Sequence, residues 1–275
     1  FINSFIFLNI LLLNVSCEKN ETSNFMISQN LINFFNQKNY ESKFIAHAGG
    51  GINSETYTNS IEALENAIDN GFKLIEIDLI ETQDGFFVGV HDWSSFKKKL
   101  LNYKYKLDNK PMTLKEVVNY KIYNRYQALT TSHINNIFNK NKDIFLVIDK
   151  TNNFKKIISD FTFDQSRIIV EVFSRENYSL AIKEGIINPM FSASITDYNF
   201  IIKNNIKLIA ISSKDLINNK SKYEELIKKN VFIFVYSSNN KTFIQEHIDI
   251  SVTGFYTDFW NFNDNICENE ICVTY

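Results

Sequence analysis

The sequence of 275 residues has few cysteines, prolines and glycines, and its charges nearly balance. The three cysteines, Cys17, Cys267 and Cys272, are too few for a disulfide scaffold and contain no CxxC pair that would indicate structural zinc. The 29 basic and 31 acidic residues leave a formal charge of -2, so the chain lacks the overall basic field typical of nucleic-acid-binding proteins. We therefore expect no nucleic-acid partner. With 44% hydrophobic residues, the chain can bury a sizeable core.

The first residues have the pattern of an export signal. An apolar run over residues 5–15 is followed by Ser16, Cys17 and a polar stretch. The run is shorter than the roughly 20 residues that span a bilayer, and a buried N-terminal helix is the alternative. A small residue before cysteine resembles a bacterial lipobox, which implies an exported, periplasmic protein or one anchored to the membrane through a lipidated Cys17. In an oxidising compartment, Cys267 and Cys272 form a local disulfide or stay as two thiols.

Short β-branched and aromatic runs alternate with longer helix-like stretches over residues 43–260. We predict strands at residues 43–48, 72–79, 143–149, 167–173, 189–194, 206–211, 231–236 and 252–257. Helices are expected between them, including one long helix over residues 113–139, and another helix over residues 25–36. Such alternation predicts a parallel sheet, and eight units favour a closed (β/α)8 TIM barrel over an open doubly wound sheet.

The chain is therefore expected to have four parts. Residues 1–17 are predicted as a signal peptide with a lipobox-like end, and residues 18–42 as a linker and helix. Residues 43–260 are predicted as the barrel domain, and residues 261–275 as a C-terminal tail. An additional strand over residues 86–91 follows the second strand after an Asp-Gly pair, which predicts a β-hairpin.

Two carboxylates lie one residue apart on the second predicted strand. Glu76 and Asp78 therefore project from the same face of that strand. Adjacent ionised carboxylates repel each other, and a bound cation or a shared proton relieves the repulsion. Their oxygen ligands favour Mg²⁺ or Ca²⁺ over softer metals. The alternative is a pair of solvated carboxylates at a strand end.

Two of the four histidines flank the carboxylate pair. His47 ends the first predicted strand, and His91 ends the hairpin strand that folds back beside Glu76 and Asp78. Imidazole accepts and donates protons near neutral pH, so two histidines beside a metal site indicate a general base and a general acid. A lone histidine at a strand end is more often structural, which is the alternative for each residue taken separately.

At these residues the sequence resembles the glycerophosphodiester phosphodiesterase family within the phospholipase C-like phosphodiesterases. The family pattern consists of HRG, then PEN[ST], then GxDxIExDVxxTxDGxxVxxHD. The similarity runs through residues 59–64, 71, 75–78, 82–85 and 91–92, and more weakly through residues 149–150, 171–174 and 254–258. The resemblance implies a distorted barrel with its site at the C-terminal ends of the strands.

The resemblance also implies a reaction. Glu76 and Asp78 would bind a divalent metal, Ca²⁺ or Mg²⁺, and His47 and His91 would act as the acid/base pair. The implied substrate is a small phosphodiester or lipid headgroup, hydrolysed to an alcohol and glycerol phosphate through a cyclic phosphate. The alternatives are a phospholipase C- or D-like enzyme on intact lipids and a catalytically silent barrel that binds a phosphorylated envelope ligand.

The family pattern changes at three places in this sequence. HRG becomes His47-Ala48-Gly49, and PEN becomes Tyr57-Thr58-Asn59, so the arginine and the glutamate are absent. The family's ExK strand end becomes Ile148-Asp149-Lys150. Only one of two adjacent strand residues faces the barrel axis unless a bulge intervenes.

The remaining site assignments follow from the resemblance and from one loop. Asp149 is predicted as the third metal ligand, with Glu171 as the alternative. Lys150 is predicted to bind phosphate, and Asn59 and Glu171 are placed at the substrate. The cationic, aromatic loop that begins at Trp93 suits an anionic or lipid-like substrate, while a solvated loop without substrate contact is the alternative.

Overall fold

Eight parallel strands close into a barrel, and a ninth strand pairs at its edge. The computed structural model describes residues 27–37, 39–100, 108–236 and 238–262. The strands are β1 (Phe44–Ala46), β2 (Leu74–Glu81), β3 (Phe87–Gly89), β4 (Phe145–Asp149), β5 (Ile168–Val172), β6 (Asn188–Ser192), β7 (Leu208–Ser212), β8 (Phe232–Tyr236) and β9 (Gly254–Thr257). Their order is β1-β9-β8-β7-β6-β5-β4-β2-β3, and pairing of β1 with β2 closes the barrel. The predicted (β/α)8 TIM barrel is confirmed.

The predicted hairpin is present between β2 and β3. These strands are antiparallel, with Leu79 opposite Gly89, and Gly85 takes a φ of +80° in the turn. Beyond the paired region, the Val90 N–H donates to the Asp78 carbonyl at 2.8 Å. This bond carries the chain that follows β3 to the level of the carboxylates on β2.

Ten helices are described, most of them packed around the barrel. They are α1 (Gln29–Phe35), α2 (Ile61–Asp69), α3 (Trp93–Lys99), α4 (Leu114–Asn119), α5 (Thr131–Lys140), α6 (Phe154–Asp160), α7 (Arg175–Lys183), α8 (Tyr198–Lys203), α9 (Ser213–Lys228) and α10 (Lys241–His247). None of the helices in the described part of the chain combines the length and the apolar character that a membrane crossing needs. The lipobox-like segment with Cys17, and Cys267 and Cys272, lie outside the described residues, so export and lipidation stay predictions.

The prediction of one long helix over residues 113–139 is wrong. The structure has two separate helices there, α4 and α5, joined by a turn in which Tyr123 and Asn124 take φ values of +52° and +57°. Thr130 then starts α5 with a capping box, in which its hydroxyl accepts from the His133 N–H. Two successive residues in the left-handed conformation, Tyr123 and Asn124, cannot continue a right-handed helix. The helix-like pattern before this turn therefore belongs to α4 and the pattern after it to α5.

The barrel strands alternate between an inner and an outer apolar face. The strand residues of the inner cluster are Ile45, Leu74, Phe145, Val147, Ile169, Met190, Leu208, Ala210, Phe234 and Tyr256. Residues between these positions, such as Ile75, Ile77 and Ile148, pack outward against the helices. Because side chains alternate with a period of two, Glu76, Asp78 and Asp149 share the inner face and lie at its C-terminal end.

Helix α1 closes the opposite, N-terminal end of the barrel. Leu31, Phe34 and Phe35 are buried and belong to the inner cluster. The Phe34 ring lies 4.7 Å from the ring of Phe145, the first residue of β4. Ser28 caps the helix and fixes it to the barrel, because its N–H donates to Asn188 Oδ1 at 2.7 Å. Helix α1, which lies within the helix predicted over residues 25–36, is thus part of the barrel core.

We expect Leu31→Ala to destabilise the protein by about 2 to 5 kcal/mol, because it removes a fully buried side chain from a packed core. Urea unfolding followed by circular dichroism measures the change. Asn33→Ala, on the exposed face of the same helix, is the control and should change the free energy of unfolding by less than about 0.5 kcal/mol. Equal stability of Leu31→Ala and the wild type would contradict the packing of α1 against the barrel.

Candidate active site

A cavity of about 220 Å³ opens at the C-terminal ends of the strands. Seven of the predicted site residues line it together: His47, Glu76, Asp78, His91, Asp149, Lys150 and Glu171. Four aromatic residues complete the lining: Tyr57, Phe173, Tyr236 and Tyr256. The structure therefore brings residues from five strands and four connecting segments to the place where barrel enzymes have their chemistry.

Three carboxylates converge on one point of the cavity. One ligand oxygen from each of Glu76, Asp78 and Asp149 lies within 4.8 Å of the others. Asp78 and Asp149 are direct neighbours in the pairing of β2 with β4. Glu76 Oε2 accepts a 2.7 Å hydrogen bond from the Ala48 N–H, while the buried Oε1 has no hydrogen-bond partner among the described residues. A buried carboxylate that has an unpartnered oxygen and converges with two other carboxylates fits a bound cation.

The electrostatics of these carboxylates also fit a cation. Burial raises the pKa of Glu76 well above its usual value, and the charges of Asp78 and Asp149 raise it further. Burial raises the pKa of Asp149 as well, although Lys150 opposes that shift. The donors are all hard oxygens, which suit Mg²⁺ and Ca²⁺. These three residues can therefore hold a divalent metal ion.

Both Asp149 and Lys150 reach the cavity, which the strand pattern alone does not allow. Asp149 ends β4 on the inner face, in step with Phe145 and Val147. Lys150 then takes a left-handed φ of +68°, and its own side chain also lines the cavity, without a bulge within β4. Lys150 Nζ lies 3.6 Å from Asp149 Oδ2. The left-handed conformation of Lys150 therefore has the effect that the sequence analysis expected from a bulge.

Glu171 lies in the same cavity but apart from the three converging carboxylates. Its Oε2 accepts a 2.7 Å hydrogen bond from the Tyr256 hydroxyl. Burial, with a further contribution from Asp149, raises the pKa of Glu171 from 4.5 to about 7. Since Glu171 is absent from the converging set, the geometry favours Asp149 as the third metal ligand.

Each histidine in the cavity is held by a carboxylate. His47 Nδ1 lies 3.1 Å from Oδ1 of the buried Asp258, and His91 Nδ1 lies 3.1 Å from Asp92 Oδ2. Burial acts to raise the pKa of Asp92, but hydrogen bonds from Ser95 and the contact with His91 lower it to about 2. A carboxylate at Nδ1 fixes the tautomer of the ring. In both residues, Nε2 is then the nitrogen available for proton transfer.

Sequence reasoning assigned no role to Asp92, Asp258 or Tyr57. The two aspartates follow recognisable signals, since Asp92 comes directly after His91 and Asp258 comes directly after the last strand. Tyr57 has no such signal. The centroid of its ring lies 4.3 Å from that of His47 and 5.9 Å from that of His91, and both contacts are edge-to-face. Tyr57 has a φ of +55° in the segment between β1 and α2.

Asn59 and Trp93 were expected at the substrate, but neither is among the described residues that line the cavity. Asn59 Nδ2 donates to Asp78 Oδ2 at 2.8 Å, and its Oδ1 accepts from the Asp78 N–H at 3.0 Å. Asn59 therefore positions a carboxylate. Trp93 is only 5% exposed and packs in a cluster with Val88 and Phe96, because the expected loop is the helix α3, capped by Asp92.

The metal-free wild type should lose stability as the pH rises, because Glu171 then ionises in a buried position. We expect Glu171→Gln to lack this loss. Because folding raises the pKa of Glu171 from 4.5 to about 7, its contribution is favourable below pH 4.5 and is lost as the pH rises through 7. Between pH 4.5 and 8, the variant should gain about 1 to 3 kcal/mol relative to the wild type. Urea unfolding in EDTA across this pH range measures the difference.

Glu246→Gln is the control for that prediction, because Glu246 is exposed on α10. Its stability should follow that of the wild type at every pH. A Glu171→Gln curve parallel to the wild-type curve would show that Glu171 titrates at its ordinary pKa in the folded protein.

Most of the chain matches a known protein family. The sequence profile of the Glycerophosphoryl diester phosphodiesterase family matches residues 47–261, which include every residue of the cavity described above. No curated protein matches the chain significantly.

Several solved structures share the fold. A glycerophosphoryl diester phosphodiesterase from Parabacteroides distasonis has a TM-score of 0.65 and 18% identity, over 85% of this chain and 89% of its own. A glycerophosphodiester phosphodiesterase from Thermotoga maritima has a TM-score of 0.62 and 17% identity, over 78% of this chain and 93% of its own. An Oleispira antarctica phosphodiesterase, in complex with the product sn-glycerol-3-phosphate, has a TM-score of 0.63 and 13% identity, over 78% of this chain and 92% of its own.

Structural similarity at such low identity establishes the fold, while the profile match establishes the family. The profile spans most of the chain, and the motif residues within it meet in one cavity. The chain therefore belongs to the glycerophosphoryl diester phosphodiesterase family, and its enzyme class is that of the phosphoric diester hydrolases.

Proposed function

We propose that this protein hydrolyses glycerophosphodiesters to an alcohol and glycerol phosphate, with His47 and His91 as acid and base and with a divalent metal ion. The observation that carries the proposal is the pairing of two carboxylate-held imidazoles with three convergent carboxylates in one cavity. The Oleispira relative that binds sn-glycerol-3-phosphate supports the expected product.

Glu76, Asp78 and Asp149 would hold the metal ion, Mg²⁺ or Ca²⁺. When bound, such an ion supplies positive charge that stabilises the phosphoryl oxygens as negative charge develops on them. Lys150 is the lysine in the described cavity lining and has the charge to contact the phosphate. Lys150 is the candidate for that role because Ala48 stands where the family pattern HRG has its arginine.

The two histidines would move the protons of the reaction. One Nε2 takes the proton of the glycerol hydroxyl next to the phosphodiester, and that oxygen forms a bond to phosphorus. The bond from phosphorus to the alcohol oxygen breaks, and the other histidine gives its proton to that oxygen. Water then opens the cyclic phosphate with the proton transfers reversed. Asp258 and Asp92 stabilise whichever ring carries two protons.

The internal hydroxyl explains why so few groups are needed for the first step. A nucleophile already attached to the substrate reacts at high effective molarity, so the protein has to orient it and remove one proton. The cavity of about 220 Å³ is smaller than the roughly 300 to 1,000 Å³ of common ligand sites, which favours a small headgroup diester over the acyl chains of an intact lipid.

We expect metal-dependent release of glycerol phosphate, detected by phosphorus NMR of glycerophosphocholine, glycerophosphoethanolamine and glycerophosphoglycerol. Mg²⁺ or Ca²⁺ should support turnover, and EDTA should abolish it. Glu76→Gln should lower the rate by about 10²-fold or more, because it removes a ligand charge. Glu81→Gln, also on β2 but outside the carboxylate set, is the control with near-normal activity. Equal turnover in metal and in EDTA would contradict the metal requirement.

His47→Ala and His91→Ala should each lower kcat by about 10²- to 10⁴-fold, because each removes one proton-transfer group. His133→Ala, in α5 and outside the cavity, should keep wild-type activity. Circular dichroism would verify that all three variants fold. Unchanged kcat in either of the first two variants is incompatible with a mechanism that uses both histidines.

A further inference from the structure

Exposed aromatic side chains are concentrated at the mouth of the cavity. Four aromatic residues in the described part of the chain are more than a third exposed, and three of them line the cavity: Tyr57 at 39%, Phe173 at 53% and Tyr236 at 39%. We call these three residues the aromatic rim. The fourth, Phe86, lies in the turn of the hairpin. Large exposed rings next to a cavity are typical of a binding site.

The aromatic rim comes from separate parts of the barrel. Tyr57 lies in the segment between β1 and α2, Phe173 directly follows β5, and Tyr236 is the last residue of β8. In the barrel order, β8 is separated from β1 by β9 alone, whereas β5 lies beyond β7 and β6. A group held above the catalytic residues is therefore bordered by rings from more than one side.

Tyr57 lies where the leaving alcohol must start. Its ring contacts the rings of both His47 and His91. Whichever histidine protonates the leaving oxygen, the departing alcohol is adjacent to Tyr57. The backbone of Tyr57 is fixed by Lys99, whose Nζ donates a hydrogen bond to the Tyr57 carbonyl.

The rings of the aromatic rim suit a cationic group. Lys150 is the lysine or arginine among the described lining residues of the cavity, and it is the residue assigned to the phosphate. The Lys150 ammonium lies 5.9 Å from the centroid of the Phe173 ring, so this ring is within cation–π distance of a positive charge at the cavity. A quaternary ammonium group donates no hydrogen bond, and ring faces are the groups that stabilise it best.

Resting on the proposed function, we propose that the aromatic rim binds the cationic headgroup of the leaving alcohol and that the preferred substrates are diesters of quaternary ammonium alcohols. Glycerophosphocholine is the simplest such diester. Tyr57 is then a specificity-determining residue that contacts substrate, with Phe173 and Tyr236 completing the site.

The test compares kcat/KM for glycerophosphocholine and for its neutral isostere, in which a tert-butyl group replaces the trimethylammonium group. The two substrates have the same shape and differ in charge. We expect the charged substrate to be preferred by about 3- to 30-fold. Tyr57→Leu should bring the ratio close to one, whereas Tyr57→Phe, which keeps the ring, should retain it. An effect of the variants on chemistry alone would change both substrates equally and leave the ratio unchanged.

Two further variants locate the effect. Phe173→Leu should lower the ratio and Phe86→Leu, outside the cavity, should leave it unchanged. Equal kcat/KM for both substrates in the wild type would overturn the inference and leave the proposed hydrolysis intact. Absence of turnover with every diester would instead contradict the proposed function.

A binding measurement tests the aromatic rim without turnover. In an NMR titration of the full chain, choline should bind at least about 3-fold more tightly than its neutral tert-butyl isostere, and Tyr57→Leu should abolish the difference. Equal affinities in the wild type would overturn the inference whether or not the enzyme turns over.

Discussion

The structure of the site depends on the repulsion among three carboxylates that are buried at one end of the barrel. Pairing of β2 with β4 places Asp78 beside Asp149, and alternation along β2 adds Glu76 to the same face. Hydrogen bonds from two places hold this arrangement. The Ala48 N–H donates to Glu76, and the Asn59 side chain donates to the Asp78 carboxylate and accepts from the Asp78 N–H. The three convergent carboxylates make this end of the barrel suited to a cation.

The sequence predicted the features that follow from local pattern. The alternation of Ile75 and Ile77 with Glu76 and Asp78 is a property of one strand, and it gave the inner and outer faces correctly. The hairpin follows from a short turn, and the barrel follows from repeated alternation of strand and helix. The histidines could be placed because both lie at the end of an element whose direction was already known.

The features that the sequence did not predict depend on left-handed residues or on distant packing. Lys150 and Tyr57 take positive φ values, which are uncommon for such residues and have no sequence signal here. Tyr123 divides a helical pattern in the same way. Trp93 was predicted in a loop because Asp92, which caps α3, was read as part of the His91-Asp92 motif and not as a helix cap. The burial of Trp93 depends on packing against Val88 of the hairpin, which is a tertiary contact.

The hairpin between β2 and β3 has a consequence for how the protein folds. Glu76, Asp78 and His91 lie on one stretch of 16 residues, so the turn at Gly85 brings them together through contacts that are close in sequence. Hairpins form within microseconds, whereas barrel closure requires β1 to pair with β9 at the far end of the described chain. Much of the charged end of the barrel can thus assemble before the slowest, long-range contacts form, and the Ala48 N–H that bonds to Glu76 is only 28 residues away in the sequence.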